Sequence, residues 1–344
     1  MPTEDALIPH ERSAAVTRGL RQAFGVETFE DICLLTKGLS SALVFRIVVR
    51  GTPYPLRIIT RPDAMSDPTR QFKCMQAGAE AGLAPRVCYT SIEDRISITD
   101  FVEAEPFPAT EALVRMPAAL RILHALPPFP KAVNYFDAMD GFVRRFQAAN
   151  ILPKSETEEH FIRYEPLAAI YPRDDSEMVS CHNDLKPENI LFDGRQVWLV
   201  DWEAAFLNDR YADLSVVANF VLTDDADEIA FLRSYFGHPP DEYQLARFFL
   251  MRQMMHMSYS AVFLFLGASG QPVDLSEMPP EFKDFHRRIW AGEVNLGDNH
   301  MKIVYGRVHW NRLLENMRQA RFDEALRIVS ARMASSSEGP KAVS

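Results

Sequence analysis

The chain has 344 residues, 47% hydrophobic and 24% charged, with a formal net charge of −10 at neutral pH. This is the composition of a globular chain long enough for one large core or two lobes. The acidity argues against a nucleic-acid groove and suits a small cationic ligand. The longest apolar stretch, Ala261 to Ala268, is too short to span a membrane. The N-terminal MPTEDALIPHERS lacks the basic-then-apolar order of a signal peptide, so a cytoplasmic location is expected. Cys33, Cys74, Cys88 and Cys181 form no CxxC pair, which leaves neither a zinc site nor a disulfide framework to expect.

In chain order, Ala14, Val16, Leu20 and Phe24 give the first 25 residues a helical period. Strands are expected at Ile32–Leu35 and Ala42–Val49 around a turn, Lys37-Gly38-Leu39-Ser40-Ser41. Gly38 permits close backbone approach and Ser40 and Ser41 offer donors to phosphate, so this turn is a candidate nucleotide-covering loop; an ordinary hairpin turn is the competing reading. The next strand, Tyr54–Ile59, carries one charge, Arg57, among apolar neighbours. A charge so placed needs a partner, and its guanidinium can also reach the α and β phosphates of a nucleotide. A helix follows over about Pro68 to Ala81. After Val87–Tyr89 and Ile96–Val102 the strands stop, which puts a lobe boundary near Glu103. A linker at that point brings the backbone of Asp100 to Val102 against an adenine ring. From there the chain reads as largely helical, with a helix over Leu113–Leu126 closed by two prolines.

The exception is residues 181–205, CHNDLKPENILFDGRQVWLVDWEAA. Phosphoryl transfer asks little covalent chemistry of a protein, but needs the acceptor hydroxyl oriented and the phosphate charge held by metal. Asp184 is placed as the orienting base, and Asn189, five residues on, as a metal ligand. Leu185 and Ile190-Leu191 anchor the loop, and the buried run Val197–Val200 delivers Asp201 at its end as a second metal ligand. Magnesium, which prefers hard oxygen donors and keeps several waters, needs no larger set.

These residues resemble the choline/ethanolamine kinase and aminoglycoside phosphotransferase superfamily, relatives of the protein kinases. The resemblance runs from about residue 30 to 225. Its carriers are Lys37-Gly38-Leu39-Ser40, Phe45–Val48, Leu56-Arg57-Ile58, Gly82–Pro85, Leu123-His124, Cys181-His182-Asn183-Asp184, Asn189-Ile190-Leu191 and Asp201-Trp202-Glu203. The CHND run, the arginine on the phosphate-binding strand and Arg210–Leu214 lean toward the choline kinase branch. The resemblance implies an α+β, two-lobed protein-kinase-like fold, with a small antiparallel-sheet N-lobe over residues 1–103 and a larger, mainly helical C-lobe over 104–333. The last segment, 334–344, reads as a disordered tail. ATP and magnesium are the implied cofactors, and the reaction is phosphate transfer to a hydroxyl of a small molecule. In the same terms Asp184 matches the family's catalytic base, Asn189 and Asp201 its metal ligands, and Arg57 its phosphate contact. Asp213 matches the aspartate that braces the catalytic loop, and His182 is structural. Glu203 is expected to face the acceptor pocket and pair with a cationic substrate, with a solvated loop carboxylate as the competing reading.

Two departures stand out. Gln71 occupies the position where a helix glutamate normally pairs with the phosphate-contacting cation, so at best a neutral hydrogen bond is expected there. Lys186, in Lys186-Pro187-Glu188, is placed as in protein kinases, where a lysine helps neutralise the transferred phosphate. Only about a dozen residues separate Asp201 from Asp213, too few for a peptide-docking activation segment. A small acceptor follows, with an amino alcohol such as choline or ethanolamine first and an aminoglycoside, thiamine or another small molecule as alternatives. A weakly active or non-catalytic nucleotide-binding scaffold is the remaining reading. Choline kinases hold quaternary ammonium by cation–π contacts. The comparable helix here, Gln244–Leu266, has no tryptophan, leaving Tyr259 as the candidate, with core packing as the competing reading for its many Phe and Met residues.

Overall fold

The computed structural model describes residues 7–35, 42–63, 66–174 and 177–337. The expected nucleotide-covering turn with Gly38, Ser40 and Ser41 lies outside the described residues. The chain has a two-lobed α+β fold that divides into two compact units. One is built from the residues up to Pro108, Ile122–Ala132 and Val179–Leu207; the other from Ala109–Arg121, Val133–Met178 and the residues from Asn208 on.

In the first unit, α1 (His10–Phe24) precedes strands β1 (Asp31–Leu34), β2 (Ala42–Val49) and β3 (Thr52–Ile59), and α2 (Pro68–Glu80) leads to β4 (Val87–Ser91) and β5 (Ile96–Thr99). The five strands form one antiparallel sheet in the order β1-β2-β3-β5-β4. A two-residue turn joins β2 to β3, with φ of 53° at Arg50 and 75° at Gly51, the left-handed pair that matches strand twist in a tight hairpin. The β2–β3–β5 register sets Arg57 opposite Val44 on one side and Ser97 on the other. Strand alternation then separates its neighbours. Leu56 and Ile58 go into a core with Phe45, Ile47, Ile96, Ile98 and the α1 residues Ala15, Val16 and Leu20. Arg57 and Ile59 take the other face, where Ile59 packs with Ala42 and with Phe72 of α2. Helix α2 starts where Asp67 accepts from the Thr69 N–H at 2.9 Å, with Pro68 at the first helical position.

Helix α3 (Ala109–His124) begins in the second unit and ends in the first. Past α4 (Tyr135–Ala149) and α5 (Lys154–Ile170) comes β6 (Met178–Cys181), followed by the hairpin of β7 (Ile190–Phe192) and β8 (Val197–Leu199) and then β9 (Phe206–Asp209). Asp193 builds the hairpin turn by accepting from the N–H groups of Arg195 and Gln196 and from Trp198 Nε1. The linker after β5 is fixed on this hairpin, since the Glu105 N–H donates to Phe192 O at 2.7 Å and Phe107 stacks on Phe192 with ring centroids 4.6 Å apart.

The second unit continues with α6 (Arg210–Val221), α7 (Asp225–Phe236), α8 (Glu242–Ala268), α9 (Phe282–Trp290), α10 (Asn299–Met317) and α11 (Ala320–Ser337). Helix α8 is apolar nearly all round and lies at the centre of the unit, against α4, α6, α10 and α11, which is where such a helix can bury every face. A capping box of Asp241 and Gln244 starts it. Its one deeply buried cation, Arg247, pairs with Asp209 and, at 2.6 Å, with Glu177, and its guanidinium faces the Tyr171 and Tyr211 rings. Helix α10 approaches α8 so closely that a Cβ on Gly306 would stand 2.7 Å from Leu264 Cγ. Among the described residues, no helix is long and apolar enough to cross a membrane.

Four histidines of this unit are buried in a neutral state. Burial lowers His160 to about 4 and His286 to about 3, and lowers His256 and His309 well below the usual range. His256 and His309 share a 2.8 Å Nδ1···Nδ1 hydrogen bond, which requires an unprotonated acceptor nitrogen. Groups whose folded pKa is depressed in this way take up protons only on unfolding. Their contribution is therefore fully present above about pH 6.5, the unfolded value, and is lost as pH falls toward the folded values. The unfolding free energy should drop between about pH 6.5 and pH 4, with each histidine adding about 1.4 kcal/mol per pH unit to the slope. Denaturant melts across that range on the wild type and His286→Phe check this; an equal slope in the two proteins would contradict it.

Candidate active site

The loop between β6 and β7 presents Asp184 on a frame of backbone and side-chain bonds. His182 is fully buried, donates from Nε2 to Val200 O at 3.0 Å and packs its ring against Trp202. Asn183 takes the left-handed conformation, φ 64°, and its amide donates to Ala204 O at 3.0 Å and Phe206 O at 3.3 Å. Leu185 is buried, and the Val200 N–H donates to Asn189 O at 3.0 Å, closing the loop on the strand that precedes Asp201.

Asp184 and Asn189 are in direct contact. Asn189 Nδ2 donates at 2.8 Å to both the backbone oxygen and Oδ2 of Asp184, and Lys186 Nζ lies 3.0 Å from the same Oδ2. Burial raises the Asp184 carboxyl above its ordinary value, and Lys186 works against that rise. Burial pulls the Lys186 ammonium down, but attraction to Asp184, with smaller contributions from Asp201 and Glu188, outweighs it and leaves the group raised. Lys186 is therefore the counter-charge of Asp184. With its nitrogen turned to Asp184, the Asn189 amide has its oxygen on the opposite side, available as a hard ligand.

Asp201 follows β8 in the left-handed region, φ 63° and ψ 66°, immediately before the short turn Trp202–Ala204. Its Oδ1 is buried, accepts no hydrogen bond, and lies 2.8 Å from Arg57 Nη2 as an ion pair. The same Nη2 donates to Glu203 Oε2 at 2.8 Å. Arg57 thus has the partner its sequence position demanded, and the partner is a pair of carboxylates. Gln71 is buried, but its amide nitrogen has no hydrogen-bond partner and it takes no part in holding Arg57. The expected neutral bond from α2 is replaced by charged contacts from the Trp202–Ala204 turn.

Two contacts that sequence reasoning did not find hold that turn. Arg70, buried on α2, donates from Nη1 to Ala205 O at 2.8 Å; burial lowers its pKa, and Glu203 is among the groups that raise it. Gly78, two turns further along α2, lets the Trp202 ring lie against the helix, where a Cβ would meet Trp202 Cζ2 at 2.5 Å. Trp202 is buried and donates from Nε1 to Leu199 O at 3.0 Å. An arginine next to Gln71 and a glycine inside a helix were the available signals.

The Asp100 N–H donates to Arg86 O at 2.9 Å and its carboxylate takes a two-pronged contact from Arg86, while Val102 is half-buried in the irregular segment after β5. In the helical unit Asp213 is fully buried on α6, and Tyr259 is half-buried on α8 among Phe263, Tyr305 and His309.

A carboxylate held beside an amide, a second carboxylate on a strained turn and a strand arginine are groups that phosphate chemistry can use. Residues 31–249 match the model of the phosphotransferase enzyme family, to which this chain belongs. It is a phosphotransferase. No curated protein matches the chain by sequence. Among solved structures it is similar to a choline/ethanolamine kinase family protein from Mesorhizobium loti, 20% identical, covering 93% of this chain and 99% of that one, with a TM-score of 0.64. It is also similar to a choline kinase from Cryptosporidium parvum Iowa II, 12% identical over 89% and 93% of the two chains, TM-score 0.61. A third similar structure is the streptomycin–ATP–APH(2")-IIa ternary complex, 17% identical over 74% and 90%, TM-score 0.53. At these identities the likeness is one of fold.

The packing of Trp202 on Gly78 gives a direct test of how the turn is positioned. Gly78→Ala should displace Trp202 and with it Asp201 and Glu203, costing about 1–3 kcal/mol of stability through overpacking. Activity should fall further than the lost stability accounts for. Melting curves with parallel activity assays decide it, and a fully active Gly78→Ala would refute the arrangement.

Proposed function

We propose that the protein transfers the γ-phosphate of ATP, with magnesium, to a hydroxyl of a small cationic amino alcohol of the choline or ethanolamine type. The observation that carries this reading is the Asp184–Asn189 pair, in which one amide orients the carboxylate with its nitrogen and keeps its oxygen for metal. The donor set fits a hard divalent cation: the Asn189 amide oxygen and the Asp201 carboxylate, whose Oδ1 is buried without a hydrogen bond. Magnesium held by these two residues would supply positive charge to neutralise phosphate oxygens.

Asp184 accepts a hydrogen bond from the acceptor hydroxyl and takes its proton as the oxygen attacks phosphorus in line with the leaving group. Asn189 keeps the carboxylate turned toward the acceptor. Lys186 keeps Asp184 ionised and stands where the transferred phosphate collects charge. Arg57 faces the α and β phosphates, and the backbone about Asp100 and Val102 lies along the adenine. For Asp100 the N–H is committed to Arg86, so the carbonyl is the group it offers. The choice of an amino alcohol is supported by the similarity to choline and ethanolamine kinase structures across nearly the whole chain. The net charge of −10 favours a cationic acceptor.

ATP consumption with magnesium should respond to choline or ethanolamine and not to uncharged sugars, and Asp184→Asn should lower turnover at least about a hundredfold while leaving ATP binding intact. A response to aminoglycosides alone would replace the acceptor class; ATP binding without transfer to any acceptor would leave a scaffold. The pH profile gives a second check. Because burial raises Asp184, the acid limb of kcat/KM should lie above the ordinary aspartate range, and Lys186→Met should move it to still higher pH by removing the charge that holds the proton off.

A further inference from the structure

We infer that Glu203 is the positioning residue for Arg57 and so acts on the nucleotide side of the reaction. It would take over, from the turn after Asp201, the work that a helix carboxylate performs in kinase-like folds. The inference rests on the nucleotide reading given above and adds a residue role to it.

Three observations converge. Arg57 is largely buried, its side chain 15% exposed, so its charge needs a counter-charge. The α2 residue that the sequence resemblance puts in that role is Gln71, which is buried and neutral and has no hydrogen-bond partner on its amide nitrogen. The anions that do meet Arg57 are Asp201 and Glu203, each 2.8 Å from Nη2. These two are not equivalent. The Asp201 carboxylate is also the candidate metal ligand, and an arginine that relied on it alone would compete with the metal for the same oxygen. Glu203 removes the conflict, because it keeps Arg57 paired while Asp201 turns to the cation. Arg70, whose own charge Glu203 helps to hold, ties the end of the same turn through Ala205 O. The phosphate-contacting cation is therefore held by the segment that carries the metal ligand.

Calorimetric titration with ATP, with and without magnesium, tests this on the full chain. Glu203→Gln is expected to weaken binding of Mg·ATP about tenfold or more, the scale of one charge-assisted hydrogen bond, and to raise the magnesium concentration needed for half-saturation. Glu203→Asp, which keeps the charge, should retain most of the affinity. Neither change should alter the melting temperature of the ligand-free protein by more than a few degrees, since Glu203 is partly exposed. Wild-type affinity and magnesium dependence in Glu203→Gln would overturn the inference. So would an unchanged ATP dissociation constant with a raised acceptor KM, which assigns Glu203 to the acceptor. Failure of the wild type to bind Mg·ATP overturns the nucleotide reading itself and this inference with it.

Discussion

A guanidinium buried on a sheet strand cannot stand without anions, and that constraint organises the site. Arg57 is fixed by register between Val44 and Ser97, so its partners must come to it. They come from Asp201 and Glu203, well over a hundred residues later in the chain. The turn Trp202–Ala204 is thereby drawn to the sheet, and the loop carrying Asp184 follows, because Asn183 donates to Ala204 and Phe206 and His182 to Val200. One ion-pair cluster thus sets where the candidate base, metal ligands and phosphate contact lie relative to one another.

Helix α2 contributes shape to this arrangement where a carboxylate might have been expected. Phe72 packs beneath the sheet at Ile59, Arg70 holds Ala205, and Gly78 receives the Trp202 ring. The backbone pays locally for the result. Asp201 and Asn183 both sit in the left-handed region, which costs of order 1 kcal/mol or more for a residue with a side chain and persists only where surrounding contacts dictate it. Asn and Asp tolerate that conformation better than most residues, which accounts for their use at these two positions.

Much of this was legible before any coordinates. Strand β2 runs over Ala42–Val49 as its apolar pattern indicated, and helix α8 covers Glu242–Ala268 around the expected Gln244–Leu266. Asp184, Asn189 and Asp201 could be nominated as a group because they lie at short spacings within one loop and hairpin, and the structure brings them together. The partner of Arg57 could not, since strand periodicity reports which face a residue takes and not what crosses from a distant segment to meet it. Reading Gln71 as a weakened version of a helix glutamate assumed that the ion pair stays where related folds place it. Strands β6 and β9 escaped notice because each is only four residues long and lacks clear alternation. The four histidines buried in the helical unit gave no sequence signal, as nothing local distinguishes a core imidazole from a solvated one.

The charges of the candidate site also constrain the order in which it can fill. Among the described residues, Arg57 and Lys186 are each already engaged by a carboxylate, so neither can attract a bare triphosphate without giving up a partner. A divalent cation held at Asn189 and Asp201, as proposed, would take over one of those carboxylates and leave Arg57 paired with Glu203.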